Sequence, residues 1–383
     1  MKLSDFIFYI FPKTINYQLA RLGLCRSSTP ITLTYSVTAA CNSLCKTCQI
    51  GRHYRDNPAC RENDLTLEEI EKIFTSLGHV YFFNISGGEP FLRKDLPQII
   101  ELACRHLTPK IIHTPTNALL PERIADYARQ SLEIIKKHGH DIQFSIKPSI
   151  DAVGTLHDEI RGVPGNFAKL EQTIKLLKQI AREYSNFHLE LGTVVSKFNL
   201  HKLAEIEDYV HQQGVESYRN EIAEQRTEFH NIGHLIAPSG EEYERLITQF
   251  KQKILKNIKH KKDLAKTTEA LRLTYYDLAA RIIKENRQVI PCYGGISNVH
   301  INYDGEVWPC CVLGYNKPLG RLRDTDYDFQ KIWHSQQARE VRRSIRAKEC
   351  ACPLANQAYS NILCHAPSLF KTLKNLIRLK KRR

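Results

Sequence analysis

The sequence predicts an α/β protein: a parallel sheet curled into a partial (β/α)6 barrel of the TIM type, followed by a small cysteine-rich α+β domain. Two patterns predict it. Between residues 31 and 226, six short β-branched or aromatic runs alternate with helical repeats. Between 292 and 364, six cysteines fall among short strands that meet at an Asp-Gly turn. A length of 383 residues accommodates both, with a core that needs no disulfides.

The elements follow in order. Residues 1–30 hold an N-terminal amphipathic segment whose apolar run, "FIFYIF", is cut by Pro12. The strands of the barrel, residues 31–226, read "ITLTYSV", "HVYFFNIS", "KIIHT", "DIQFSI", "FHLELGTVV" and "GVESYRNEI". Thr66 and Glu69 make a capping box, with Leu65 placed to staple onto Ile70. In "GNFAKLEQTIKLLKQIA", Phe167, Leu170, Ile174, Leu177 and Ile180 share one helical face. Strands separated by helices form βαβ units, right-handed crossovers curl the sheet, and sites collect at the carboxyl ends of the strands. Residues 227–285 read as a helical connector, 286–365 as the cysteine-rich domain, and 366–383 as a basic tail. That tail sets Leu369, Phe370, Leu373, Leu376, Ile377 and Leu379 among seven Lys/Arg, the pattern of a helix for an anionic membrane surface. A solvated basic terminus, or a helix packed on the domain, fits the same residues.

Fifty-five Lys and Arg against 41 Asp and Glu leave a net charge of +14, which points to an anionic partner. Nucleic acid is a poor candidate, because no RNA-binding motif or aromatic-interleaved basic strand accompanies the charge. No run reaches the roughly 18 apolar residues of a membrane span, and no secretory signal is recognised. The expected location is cytoplasmic, with peripheral contact at the inner membrane face. Thiols stay reduced there, so clustered cysteines read as ligands or catalytic groups. Cys25, Cys60 and Cys104 stand alone and read as plain residues, Cys104 as a small core side chain.

Directly after the first strand, Cys41-x3-Cys45-x2-Cys48 gathers three thiols and stops short of a fourth. A structural zinc site is closed and four-coordinate. Three neighbouring thiolates can instead hold three irons of a four-iron cubane and leave the last open to a small molecule. This loop, after the first strand of an alternating βα chain, resembles the radical SAM superfamily. The resemblance implies a [4Fe–4S] cluster on Cys41, Cys45 and Cys48, S-adenosylmethionine on the open iron, and one-electron cleavage to a 5′-deoxyadenosyl radical. An electron donor such as a flavodoxin or ferredoxin is implied with it.

Other strand ends carry the same resemblance. "SGGEP" is similar to the family's GGEP motif, which makes Gly87, Gly88 and Glu89 cofactor contacts. "TPTNALL" matches a Thr-Asn-Gly element at Thr116 and Asn117 and departs at Ala118. Ser149, Asp151 and Arg161 resemble Ser-x-Asp and Ile-Arg-Gly elements, and Asn199 resembles a residue near the cofactor. Without the resemblance, Asp151 reads as a helix cap and Arg161 as a surface ion pair. Arg219, Glu221, Glu224 and Arg226 fall near the barrel mouth, as substrate contacts or as salt bridges.

Cys292, Gly305 and Cys310 match the opening of the SPASM and twitch extensions, which bind auxiliary iron–sulfur clusters. The later spacing departs from the full pattern. One auxiliary cluster on Cys292, Cys310, Cys350 and Cys352 is expected, with Cys311 or Cys364 as substitutes and zinc as the competing metal. The resulting expectation is a radical SAM enzyme with one auxiliary cluster. A lipid-linked or glycan precursor is slightly favoured as the small-molecule substrate, on the basic charge. Peptide maturation is the alternative. A non-catalytic electron carrier or zinc protein is the reading from another class.

Overall fold

A computed structural model describes residues 6–139, 141–215, 217–258 and 263–381. Four stretches read from sequence run partly outside them: the first five residues, residue 216 in "GVESYRNEI", 259–262 at the end of the connector's first helical stretch, and Arg382–Arg383 of the tail. The chain folds as two units. One comprises Thr29–Ala237 and Val299–Ala338; the other comprises Met1–Ser28, Pro238–Asn298 and Arg339–Arg383.

The first unit is built on a sheet. Strands β1 (Thr32–Ser36), β2 (Phe82–Ser86), β3 (Ile111–Thr116), β4 (Gln143–Pro148), β5 (Phe187–Val195) and β6 (Ser217–Ile222) pair in sequence order, all parallel. Beyond β1 lie β7 (Asn298–Ile301), β8 (Glu306–Trp308) and β9 (Gly320–Arg321), in the order β6-β5-β4-β3-β2-β1-β7-β8-β9. Strand β7 thus holds the edge of β1 that closure onto β6 would use, and the sheet is open. At the β7–β8 hairpin, Gly305 takes φ +86°, and Asp304 Oδ1 accepts from the Glu306 amide at 3.1 Å. This is the Asp-Gly turn read from sequence.

Alternation along the strands gives the sheet two faces. Phe83, Ile85, Ile112, Phe144 and Ile146 are buried on one. The opposite face carries His113, Ser145, Lys147, Glu190, Arg219 and Glu221, aligned by the strand registers. Helix Leu67–Leu77 starts at the expected capping box: Thr66 and Glu69 exchange both bonds, an arrangement worth about 1 kcal/mol. Helix Asn166–Glu183 buries Leu170, Ile174, Leu177 and Ile180 as their spacing requires.

In the second unit, helices Gly240–Asn257, Asp263–Glu285, Ala355–Cys364 and Ala366–Lys381 follow the apolar periodicity of their sequences. Leu379 of the last packs with Ile258, Ala270 and Leu273. Among the described residues no helix is long and apolar enough to cross a membrane.

Candidate active site

The site begins where β1 ends. Val37 donates its amide to Ser86 of β2, and Asp64 then takes the Thr38 hydroxyl at 2.5 Å and the Ala39 amide at 3.0 Å. The loop carrying Cys41, Cys45 and Cys48 is pinned further along. Leu44 and Lys46 donate to the carbonyls of Arg161 and Ile160 at 3.0 and 2.8 Å. Ser43 Oγ donates to the Arg161 carbonyl at 3.0 Å, and Asn231 Nδ2 to that of Thr47 at 2.8 Å.

Cys41 and Cys48 both feel the neighbouring Cys45. Burial, and next the neighbouring Cys45, push the Cys41 thiol up to about 12. The same two causes hold Cys48 well above its ordinary value. Among the described residues no three His, Cys, Asp or Glu converge on a point for a single metal ion. Arg161 Nη1 lies 3.8 Å from Cys45 Sγ, so a buried cation stands where bound thiolates would gather negative charge. Burial opposes that charge, but Asp151 and then Cys45 more than offset it and hold Arg161 protonated. The residues present therefore fit a thiolate-ligated cluster.

The Gly87-Gly88-Glu89 turn lies directly against this loop. Gly88 and Glu89 donate to the Thr38 and Ala40 carbonyls at 2.9 and 2.8 Å. Gly87 adopts φ +116°, and a Cβ on Gly88 would stand 2.1 Å from the Ala40 carbonyl oxygen; only glycine permits this approach. Glu89 is buried. Its Oε1 accepts from Thr116 Oγ1 at 2.8 Å and from the Phe91 amide at 3.3 Å, and its Oε2 accepts from the Asn117 amide at 2.7 Å. Burial raises it to about 7 against those bonds. The carboxyl thus locks the β2 turn to the β3 turn. Asn117 Nδ2 continues the chain of contacts to Asn42 in the cysteine loop at 2.8 Å. Ala118, at the departure from Thr-Asn-Gly, stands at φ +63°, in the region that favours glycine.

Asp151 is buried, with Oδ2 at 2.9 Å from Arg161 Nη2 and Oδ1 accepting from the Val194 amide at 2.9 Å. Ser149 bridges to Gly192 beside it. Asn199 is also buried, but its amide is spent on the carbonyls of Asp151 and Val194, both at 2.9 Å. It supports the Asp151 turn from behind.

The charged residues of β6 pair within the sheet face: Arg219 Nη2 with Glu190 Oε1 at 2.7 Å, and Lys147 Nζ with Glu221 Oε1 at 3.5 Å. Arg226 binds Glu224 at 2.5 Å and approaches Cys311 Sγ at 3.5 Å.

Sequence reasoning missed a cavity next to the cysteine loop, lined by Thr38, Gly87, Gly88, His53, Glu228 and Tyr315, among others. The His53 and His230 rings stack at 4.2 Å. Glu228 is buried and raised to about 7 by burial, against Arg226. His300 Nε2 lies 2.8 Å from Ser36 Oγ and 4.0 Å from Glu228 Oε1. Gly87 and Gly88 of its lining carry the Gly-Gly-Glu signal read from sequence; His53, Glu228 and Tyr315 belong to no motif, although Glu228 follows Arg226 by two residues.

The later cysteines divide between the units. Cys310 and Cys311 follow β8 in the first. In the second, Cys292 is raised to about 11 by burial and, among other causes, by its neighbour Cys350. Gln288 Nε2 donates to Cys350 Sγ at 3.7 Å, and Cys352 is half-buried nearby in sequence. Cys364 is buried, its thiol raised to about 12.

The family model described as the Radical SAM superfamily matches residues 35–209, and the SPASM model, an iron–sulfur cluster-binding domain, matches residues 292–353. An AdoMet-dependent heme synthase of Oleidesulfovibrio alaskensis is 26% identical over 326 residues, 80% of this chain and 74% of that protein. The subtilosin biosynthesis protein AlbA of Bacillus subtilis is 23% identical over 336 residues, 85% of this chain and 66% of that protein. Among solved structures, Streptococcus suis SuiB bound to S-adenosylmethionine is similar with TM-score 0.58 at 17% identity, covering 85% of this chain and 70% of that one. The structure of anSMEcpe with AdoMet and a Cp18Cys peptide gives 0.57 at 16%, covering 92% and 98%. These two likenesses show the fold; the two family matches give this chain a radical SAM domain followed by a C-terminal SPASM iron–sulfur domain, a pair that implies a [4Fe–4S] cluster, S-adenosylmethionine and an auxiliary iron–sulfur cluster.

Proposed function

We propose that the chain modifies a peptide by radical chemistry. The observation that carries this reading is the likeness over 85% of the chain to AlbA, a bacteriocin biosynthesis protein. SuiB, whose fold this chain shares, is also known bound to the precursor peptide SuiA. The lean toward a lipid or glycan precursor rested on charge alone and gains nothing from these relatives.

When bound, a cluster and S-adenosylmethionine would supply the radical chemistry, with the electron coming from a flavodoxin- or ferredoxin-type donor. The chain's own residues position the reactants. Cys41, Cys45 and Cys48 would hold the site-differentiated cluster, and Arg161 offsets its charge. Gly87 and Gly88 let backbone approach the cofactor, and Glu89 fixes that turn against Thr116 and Asn117. Ser149 and Asp151, at the carboxyl end of β4, would face the ribose hydroxyls. The paired charges on the sheet's polar face give a peptide both donors and acceptors. Cys292, Cys310, Cys350 and Cys352 remain the proposed ligands of the auxiliary cluster. Attachment to an anionic membrane face, through the basic helix Ala366–Lys381, belongs to the same reading.

A tetrapyrrole substrate is the second reading, favoured by the 26% identity to the heme synthase. The test is anaerobic reconstitution with dithionite and S-adenosylmethionine, with 5′-deoxyadenosine as the readout. Added precursor peptides should raise its formation and change in mass. A rise with a propionate-bearing tetrapyrrole alone moves the assignment to the second reading. No 5′-deoxyadenosine under any condition ends both.

A further inference from the structure

The N-terminal helix Phe11–Leu22 carries an apolar stripe that the protein leaves uncovered. Phe11, Ile15, Leu19 and Leu22 recur at four-, four- and three-residue steps, which places them on one face. With Phe8 in the preceding turn they are 40–80% exposed. The opposite face is the one that packs: Thr14 and Tyr17 are buried, and Gln18 Nε2 donates to the Cys364 carbonyl at 2.8 Å. Single exposed apolar residues are ordinary; a continuous stripe of this kind marks an interaction surface.

The same unit carries a second such face. On helix Ala366–Lys381, Phe370, Leu373 and Ile377 are 48–59% exposed, while Ser368, Thr372 and Leu379 are buried. Helical spacing sets Lys374 and Arg378 along one side of this stripe and Lys380 along the other; Lys371, on the first side, is already paired with Asp277 Oδ2 at 2.5 Å. Lys374 Nζ lies 4.7 Å from the Phe370 ring centroid.

The charge around both faces selects the occupant. No Asp or Glu occurs between Asp5 and Asp56, and none follows Glu349. A second copy of this chain would bring basic surface against basic surface. An anionic bilayer accepts the apolar side chains about 5–10 Å below its headgroups and pairs the flanking cations. We infer that the Phe8–Leu22 stripe and the Phe370–Ile377 stripe together dock this unit on an anionic lipid surface, the N-terminal helix supplying most of the inserted apolar area. The inference rests on the membrane attachment proposed above and adds the N-terminal helix as the second of the two signals that stable anchoring requires.

The experiment is co-sedimentation of the cluster-loaded protein with vesicles of phosphatidylcholine alone or mixed with phosphatidylglycerol. Wild type should bind the anionic vesicles, less so in high salt, and leave the neutral ones. Ile15→Glu/Leu19→Glu should lower binding at least about tenfold, because two large apolar side chains no longer insert. Phe370→Glu/Ile377→Glu should also lower it. Formation of 5′-deoxyadenosine should stay unchanged in both, which reports intact folding. If wild type ignores both vesicles, the attachment and the two-helix surface fall together. If the N-terminal variant binds like wild type and only the C-terminal one is lost, the tail attachment stands and this inference fails. A lipid-free dimer that Ile15→Glu/Leu19→Glu disperses, with no vesicle binding, would assign the stripe to a second copy and overturn it.

Discussion

Arg161 Nη2 lies 2.9 Å from Asp151 Oδ2, and both side chains are buried. The same guanidinium reaches Cys45 through Nη1. One ion pair therefore joins the β4 turn to the cysteine loop. Asp151→Asn would leave the arginine buried and unpaired, which costs about 3–5 kcal/mol. Denaturant unfolding under argon measures it. Arg161→Met/Asp151→Leu, removing both charges, should recover part of that loss. If Asp151→Asn is as stable as wild type, the pair is not what joins these segments.

The Gly88 contact with the Ala40 carbonyl is the tightest backbone approach between the β2 turn and the cysteine loop. A methyl group there meets backbone, which cannot rotate away as a side chain can. Gly88→Ala should destabilise by at least about 1–3 kcal/mol and abolish 5′-deoxyadenosine formation. Gly240→Ala is the control, because its added Cβ meets only Ile283 at an ordinary 3.6 Å. Unfolding and iron content, measured together, separate a shifted loop from a lost fold.

Much of this arrangement was legible in the sequence because it is local. Short β-branched or aromatic runs marked all six parallel strands, and the capping box at Thr66 marked a helix start. The cysteine spacing and the Gly-Gly-Glu turn both fall at strand ends, so the chemistry could be placed before the fold was known. What escaped is non-local. Nothing in "NVHIN" says that β7 will lie beside β1, where His300 meets Ser36; that pairing joins segments more than 260 residues apart. Asp64 and Arg93 hold the start of the cysteine loop through hydrogen bonds to Thr38, Ala39 and Val37. A single Asp or Arg carries no spacing signal, because its partners are chosen by tertiary packing. Asn199 shows the converse, since its proposed nearness to the cofactor coexists with an amide group fully used by backbone.

Glu89 gives the stability a definite pH dependence. Burial raises its native carboxyl to about 7, above the ordinary 4.5. Between those values the native state binds the proton and the unfolded state does not. Its contribution is therefore present below pH 4.5 and is lost as pH rises toward about 7. A bound cluster adds negative charge nearby and shifts the carboxyl in the same direction. Relative to Glu89→Gln, wild type should lose stability over that window and run parallel above it. Urea unfolding at several pH values checks this, and parallel curves throughout would remove the raised carboxyl.

The paired charges on the sheet face separate substrate binding from cofactor cleavage. Lys147 and Glu221 bond each other at 3.5 Å, and the lysine is the first cause holding Glu221 below its ordinary value. Lys147→Met should reduce turnover of an added peptide about ten- to a hundredfold, the worth of one charged hydrogen bond. Cleavage of S-adenosylmethionine without peptide should stay within about twofold, since the residue contacts neither the cysteine loop nor the Gly-Gly-Glu turn. Equal losses in both rates would return Lys147 to a purely structural role.

The cysteines predict a count. With Cys41, Cys45 and Cys48 all replaced by alanine, the ligands near Arg161 are gone, while Cys292 and Cys350 are untouched in the other unit. Mössbauer spectra with iron and sulfide analysis of oxygen-free protein should then show one cluster lost and one kept, with no 5′-deoxyadenosine formed. Replacing Cys292 and Cys350 should do the reverse: the auxiliary cluster goes, and S-adenosylmethionine cleavage continues, because the Arg161–Cys45 contact and the Glu89 lock do not involve those thiols. Loss of all iron from the triple variant would mean that the N-terminal loop is required for the second cluster to assemble, and the two sites could not then be treated as independent.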